Sequence, residues 1–147
     1  MEVFLANINH LESVSVIFNQ YRIFYNQASN IEAAKEFLEE RFKNKDSVVF
    51  AANDNGELVG FTQLYPSFSS VSMKRVWILN DLYVKESYRR KGVANLLMSA
   101  AEEYAKESGA VRVILATQIS NIAAQKLYEV RDYIKNEEFY HYTLRLQ

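Results

Sequence analysis

The chain has no cysteine, one proline, four glycines and two histidines among its 147 residues. Each scarcity excludes something. Without cysteine there is no disulfide framework, no thiolate nucleophile and no zinc–thiolate site. His10 and His141 are too few and too far apart to form a recognisable metal cluster, so no metal is expected. No G-x-G-x-x-G occurs, and no Walker phosphate loop, which disfavours the dinucleotide and P-loop folds. No apolar run reaches membrane-spanning length, and the start MEVFLANINHLESV lacks a basic segment before an apolar core. No membrane partner is expected, and the cytoplasm is the default compartment.

What is present suits a packed core. Hydrophobic residues make up 49% and aromatic residues 14%, and the length suits one domain spanning 1–147. Net charge is −1, so no global field draws the chain onto nucleic acid. The charge is uneven, however. Residues 1–60 hold nine acids and five bases, whereas residues 61–147 hold nine acids and twelve bases. An anionic ligand in the second half fits that asymmetry.

Periodicity divides the chain into elements. Glu2 to Ala6 reads as a short strand. Leu11, Val14, Phe18, Tyr21 and Tyr25 mark one helical face, widened by Ile17 and Phe24. A second helix runs from about Ile31 to Phe42, capped by Ser29 or Asn30. Ser47–Ala52 and Leu58–Tyr65 read as strands around the turn Asp54-Asn55-Gly56. Pro66 to Met73 reads as a loop or a wide turn. Val76 to Val84 is nearly continuous in apolar residues, as in a strand buried on both faces. Val93, Leu96, Leu97, Ala100, Ala101, Tyr104 and Ala105 follow a helical stripe that Gly109 would stop. Val111 to Ala116 reads as a buried strand, parallel to the one before the helix. Ser120 or Asn121 caps a last helix to about Val130, and Phe139 to Leu146 alternates like an antiparallel edge strand. The expected fold is α/β with a mixed, mostly antiparallel sheet, one parallel pair, and helices on both faces.

Arg89-Arg90-Lys91-Gly92-Val93-Ala94 joins the apolar strand to the most periodic helix. The first N–H groups of a helix have no partner within it, and the helix dipole places partial positive charge there. Gly92 allows an anion close approach to the main chain, and three cations surround it. The segment therefore reads as a site for a phosphorylated ligand, most simply a diphosphate.

Arg89-x-x-Gly92-x-Ala94 resembles the pyrophosphate loop of the GNAT superfamily of acyl-CoA-dependent N-acetyltransferases. Its setting strengthens the likeness, because the strand Leu82-Tyr83-Val84 precedes it and an amphipathic helix follows. Asn121-x-x-Ala124-x-x-Leu127-Tyr128-Glu129 is similar to the family's second coenzyme-contacting segment. Leu79-Asn80-Asp81-Leu82-Tyr83-Val84, Gln20-Tyr21-Arg22-x-Phe24-Tyr25 and the Tyr-rich C-terminus look like the yeast histone/polyamine acetyltransferase subgroup and its bacterial relatives. One departure stands out: the family's Gly-Phe after the last helix is Asp132-Tyr133 here. Asp tolerates a left-handed position better than most residues, though less well than Gly.

The resemblance implies a GNAT fold with a splayed parallel pair, acetyl-CoA as co-substrate, and acetyl transfer to a small-molecule or lysine-type primary amine. It implies that Leu82, Tyr83 and Val84 line the pantetheine arm and that Arg89, Arg90, Lys91, Gly92, Val93 and Ala94 hold the pyrophosphate. Asn121 would contact the arm as in relatives; a plain helix cap is the ordinary alternative. Tyr128 stands where family members place their general acid; otherwise it is a core aromatic. Asn80 and Asp81 interrupt the apolar run, and burying an unpaired carboxylate is expensive. Asp81 is the candidate base, with Asn80 beside it in the acceptor site; the alternative is a bulge that turns a polar side chain to solvent. Tyr25 is a second candidate acceptor contact, with core packing as its alternative. A homodimer is implied by analogy with relatives. Two other readings are a non-catalytic acyl-CoA-binding module and a nucleic-acid-associated basic patch, the latter opposed by the neutral net charge.

Overall fold

The computed structural model describes residues 1–147. They fall into two compact units, Met1–Ala116 and Thr117–Gln147. The first contains a five-stranded sheet whose spatial order follows the chain: β1 (Glu2–Leu5), β2 (Val48–Asp54), β3 (Glu57–Ser69), β4 (Lys74–Val84) and β5 (Arg112–Ile114). β1 to β4 pair antiparallel, and β4 pairs parallel with β5. Three helices belong to this unit: α1 (Leu11–Phe24), α2 (Ile31–Asn44) and α3 (Val93–Glu107).

Alternation along β3 sends successive side chains to opposite faces. Phe61 packs into a cluster with Val14, Ile17 and Phe18 of α1 and Ala34 and Leu38 of α2. Its neighbour Gly60 faces α3, where an added Cβ would lie 3.2 Å from both Val93 and Leu97 and 3.0 Å from the Tyr83 carbonyl oxygen. Helices therefore cover both faces, and glycine at 60 permits α3 to sit against the sheet. Between α1 and α2, the buried Asn19 is satisfied: Asn30 N–H donates to Oδ1 at 2.9 Å, and Nδ2 donates to Ser29 Oγ at 3.1 Å. Asn30, rather than Ser29, caps α2 through Ala33 N–H at 3.1 Å.

The β2–β3 hairpin turns at Asn55 and Gly56, both with positive φ (52° and 88°), as a two-residue turn with this handedness requires. Three expectations need correction. Pro66 to Ser69 continues β3 instead of forming a loop, with Pro66 opposite Trp77. β2 ends its pairing at Leu64, so the missing N–H of Pro66 falls where β3 has only one neighbour. The strand expected over Val111 to Ala116 shrinks to β5, Arg112–Ile114, whose Ile114 is 44% exposed because β5 lies at the sheet's edge. Phe139 to Leu146 forms no strand; its alternation is strand-like, but a strand exists only when its backbone is paired.

In the second unit, α4 (Ile122–Val130) is capped by Asn121, whose Oδ1 accepts from Ala124 N–H at 3.1 Å. It ends in a Schellman turn: Tyr133 N–H donates to Tyr128 O at 3.0 Å, and Asp132 N–H to Glu129 O at 3.1 Å. Asp132 takes φ 70° at the position where the turn favours glycine.

Candidate active site

Pairing between β4 and β5 stops at Ile78 and Ile114. One residue later the β3–β4 register slips, with Gln63 opposite Asp81 and Leu64 opposite Leu79, so Asn80 is the extra residue of a bulge. The bulge that the sequence allowed is present: Asn80 faces solvent, while Asp81 is 7% exposed. Beyond the bulge, β4 has no strand on its β5 side. Lys85 N–H turns toward β3 and donates to Val59 O at 2.9 Å. By alternation the peptide groups of Tyr83 also turn to β3, and those of Leu82 and Val84 face the open side. The Val84 carbonyl accepts from Arg89 Nε at 2.9 Å.

Asp81 is held from several directions. Tyr21 Oη donates to Oδ1 at 2.9 Å, and Asn80 Nδ2 lies 3.2 Å from both carboxylate oxygens. Thr62 Oγ1 donates to the Asp81 main-chain oxygen at 2.8 Å. Burial pushes the Asp81 carboxyl above its usual range, and the bonds from Tyr21 and Asn80 pull the other way. The same burial, reinforced by Asp81, raises the Tyr21 phenol far above its normal value and the Tyr65 phenol to about 12. Both therefore remain protonated at neutral pH.

An aromatic shell surrounds this carboxylate. The Tyr21 ring meets Tyr25 at 5.2 Å, Phe61 at 5.4 Å and Tyr83 at 5.8 Å, and Phe24 meets Tyr83 at 5.9 Å. Arg89 lies over Phe24 and Tyr83, with its guanidinium carbon 4.8 Å and 5.9 Å from the ring centres. Beside Tyr65, a cavity of about 420 Å³ is lined by Phe37, Arg41, Asp46, Tyr65 and Pro66. Arg41 Nε pairs there with Asp46 Oδ1 at 3.0 Å.

The loop before α3 is shaped for an anion. Arg90 and Gly92 both take positive φ, 62° and 82°, a conformation that turns successive N–H groups to one side. Gly92 is the N-cap of α3; no side chain caps the helix, and its first turn carries no acid. Nothing lies within 4 Å of the place a Cβ would occupy at Gly92. A pyrophosphate fits this donor set: an uncapped helix start, exposed cations at Arg90 and Lys91, and main chain open to approach.

The structure brings Asn80, Asp81, Tyr83, Tyr25 and Arg89 into one connected cluster. Lys91 stands apart, its Nζ 5.3 Å from the Tyr88 ring centre. In the second unit, Asn121 spends its side-chain oxygen on the helix cap, and Tyr128 is buried with its ring 5.9 Å from Tyr133. In the sequence, Tyr21 belongs to a helical face and to the Gln20–Tyr25 segment that resembles relatives, with no role of its own, and Tyr65 belongs only to a strand. No local signal marks their approach to Asp81, because the Tyr21–Asp81 contact spans sixty residues.

The family model of acetyltransferases (GNAT) matches residues 14–133. The chain is 46% identical over 146 residues to an uncharacterized N-acetyltransferase, YhfO, of Bacillus subtilis, covering 99% of this chain and 98% of that one. A crystal structure of a probable acetyltransferase superposes with a TM-score of 0.95 at 44% identity, covering 100% of this chain and 99% of the other. The aminoglycoside N-acetyltransferase AAC(6')-Iy in complex with CoA gives a TM-score of 0.81 over 99% of this chain and 95% of that one; at 22% identity this is a likeness of fold. The chain belongs to the GNAT family of acetyltransferases.

Proposed function

We propose that the chain moves an acetyl group from acetyl-CoA to a primary amine by direct attack within a ternary complex. The observation that carries this reading is Asp81: a buried carboxylate, fixed by Tyr21, at the bulge where β4 loses its strand neighbour. An alkyl ammonium with pKa about 10.4 is neutral only about once in a few thousand molecules at pH 7, so a proton acceptor is required. Asp81 Oδ2 takes that proton, and its raised affinity suits the task. Asn80 and Tyr25 meet the acceptor on either side of this carboxylate.

Acetyl-CoA supplies an activated thioester. The peptide groups of Leu82 and Val84 hold its pantetheine arm as an added strand would be held, along the side that Tyr83 backs. N–H groups from Arg90 to Ala94, Gly92 and Val93 included, take the pyrophosphate, with Arg89, Arg90 and Lys91 adding charge. The Asn121 amide, whose nitrogen is not used in the helix cap, bonds the arm. As the N–C bond forms and the C–S bond breaks, Tyr128 gives its proton to sulfur and recovers one released from nitrogen. Net, one proton reaches solvent through Asp81, and the products are an amide and a thiol.

The chain acts as a homodimer in this reading. Phe139, Tyr140, Tyr142, Leu144 and Leu146 are all at least 67% exposed, and apolar alternation left bare calls for a covering surface.

Thiol release from acetyl-CoA across a panel of amines, including polyamines, aminoglycosides and basic peptides, tests the reaction. Turnover with at least one amine, abolished by Asp81→Asn, is the expected result. Coenzyme binding with no thiol release for any amine would leave only a binding module.

A further inference from the structure

We infer that Tyr21 is the positioning residue of the Asp81 carboxylate: its hydroxyl occupies Oδ1 and leaves Oδ2 as the oxygen that receives the acceptor's proton. This rests on the reading of Asp81 as base. Tyr21 comes from α1 and Asp81 from β4, so one 2.9 Å bond ties the helix to the reacting end of the strand. Its ring packs edge-on against Phe61 (89° between planes) and Tyr25 (70°). Oδ1 thus receives Tyr21 and a share of Asn80, whereas Oδ2 receives only the other share of Asn80. An oxygen with spare lone-pair capacity is the one that can accept a proton.

The groups facing Asp81 set the direction of any pH effect. From α1 these are Tyr21 and, behind it, Tyr25; from β3, Tyr65; and beyond Tyr65, the mutually paired Arg41 and Asp46. Of these only Tyr21 bonds the carboxylate directly, as does the neutral Asn80 of β4 itself, and both bonds favour its charged form. Removing the Tyr21 hydroxyl therefore raises the pH at which Asp81 gives up its proton. A hydrogen bond to a charged group is strong enough to move that pH by about one unit.

The test compares the full chain with Tyr21→Phe, which keeps the ring, and with Phe18→Leu, which disturbs the neighbouring packing but no bond to Asp81. Asp81 is followed by its carboxyl-carbon NMR titration, with no turnover needed, and the acid limb of kcat/KM is followed in parallel. Tyr21→Phe should move both upward by about one pH unit, while Phe18→Leu leaves both in place. An Asp81 titration unmoved in Tyr21→Phe, or moved equally in Phe18→Leu, overturns the role given to Tyr21. A titration that moves while the acid limb stays fixed places the base elsewhere, and the positioning role falls with it.

Discussion

Asp81 is maintained at a cost to stability. Its carboxyl binds a proton more tightly in the folded protein than in the unfolded chain, because burial disfavours the charge. The folded state then carries the extra proton between the two pKa values, and stability falls as pH rises through that window. Asp81→Asn should match the wild type in melting temperature below the ordinary carboxyl range and exceed it above. Each pH unit of displacement is worth about 1.36 kcal/mol, so parallel curves at every pH would mean an unshifted carboxyl. Tyr128→Phe should abolish turnover with coenzyme affinity retained; unchanged turnover removes it from the mechanism. The two residues differ in legibility. A charged residue inside an apolar run announces a demand, so Asp81 was visible in sequence. The partner that meets the demand was not, since Tyr21 sits at a spacing any core aromatic would share.

At the scale of elements, stripes and caps gave the helices their places to within two residues. The strands were less legible wherever pairing decided. Pro66 looked like a breaker because its neighbours were unknown, and Phe139–Leu146 looked like a strand for the same reason. Gly60 is a related case: its place inside the strand Leu58–Tyr65 hints at a close approach, but nothing in sequence says that α3 is what approaches its bare Cα. Gly60→Ala should destabilise the protein by about 1–3 kcal/mol, the usual cost of overpacking. It should also weaken coenzyme binding more than Asp132→Gly does, since it displaces the helix that begins at Gly92. Asp132→Gly should instead add up to about 1 kcal/mol by relieving a left-handed non-glycine residue. Denaturant melts with coenzyme titrations on both variants separate the two effects.

For the whole molecule, coenzyme binding should appear as stabilisation. At 100 times Kd the gain should be about 2.7 kcal/mol, read as a rise in melting temperature with added CoA. No rise at saturating CoA would refute the coenzyme assignment. Truncation after Asn136 should yield a monomer by light scattering if the bare C-terminal segment forms the dimer contact; a dimer of the same mass per chain would place that contact elsewhere. The single tryptophan offers a way to watch ligand entry. Trp77 sits on β4, its indole N–H donates to Ser108 Oγ at 2.8 Å at the far end of α3, and its ring leans on Tyr104 at 5.5 Å. A tilt of α3 against β4 would alter that bond. The protein thus carries its own fluorophore against the C-terminal end of the helix that begins at Gly92, and a change in its emission on mixing with CoA would time donor capture separately from chemistry, without a label.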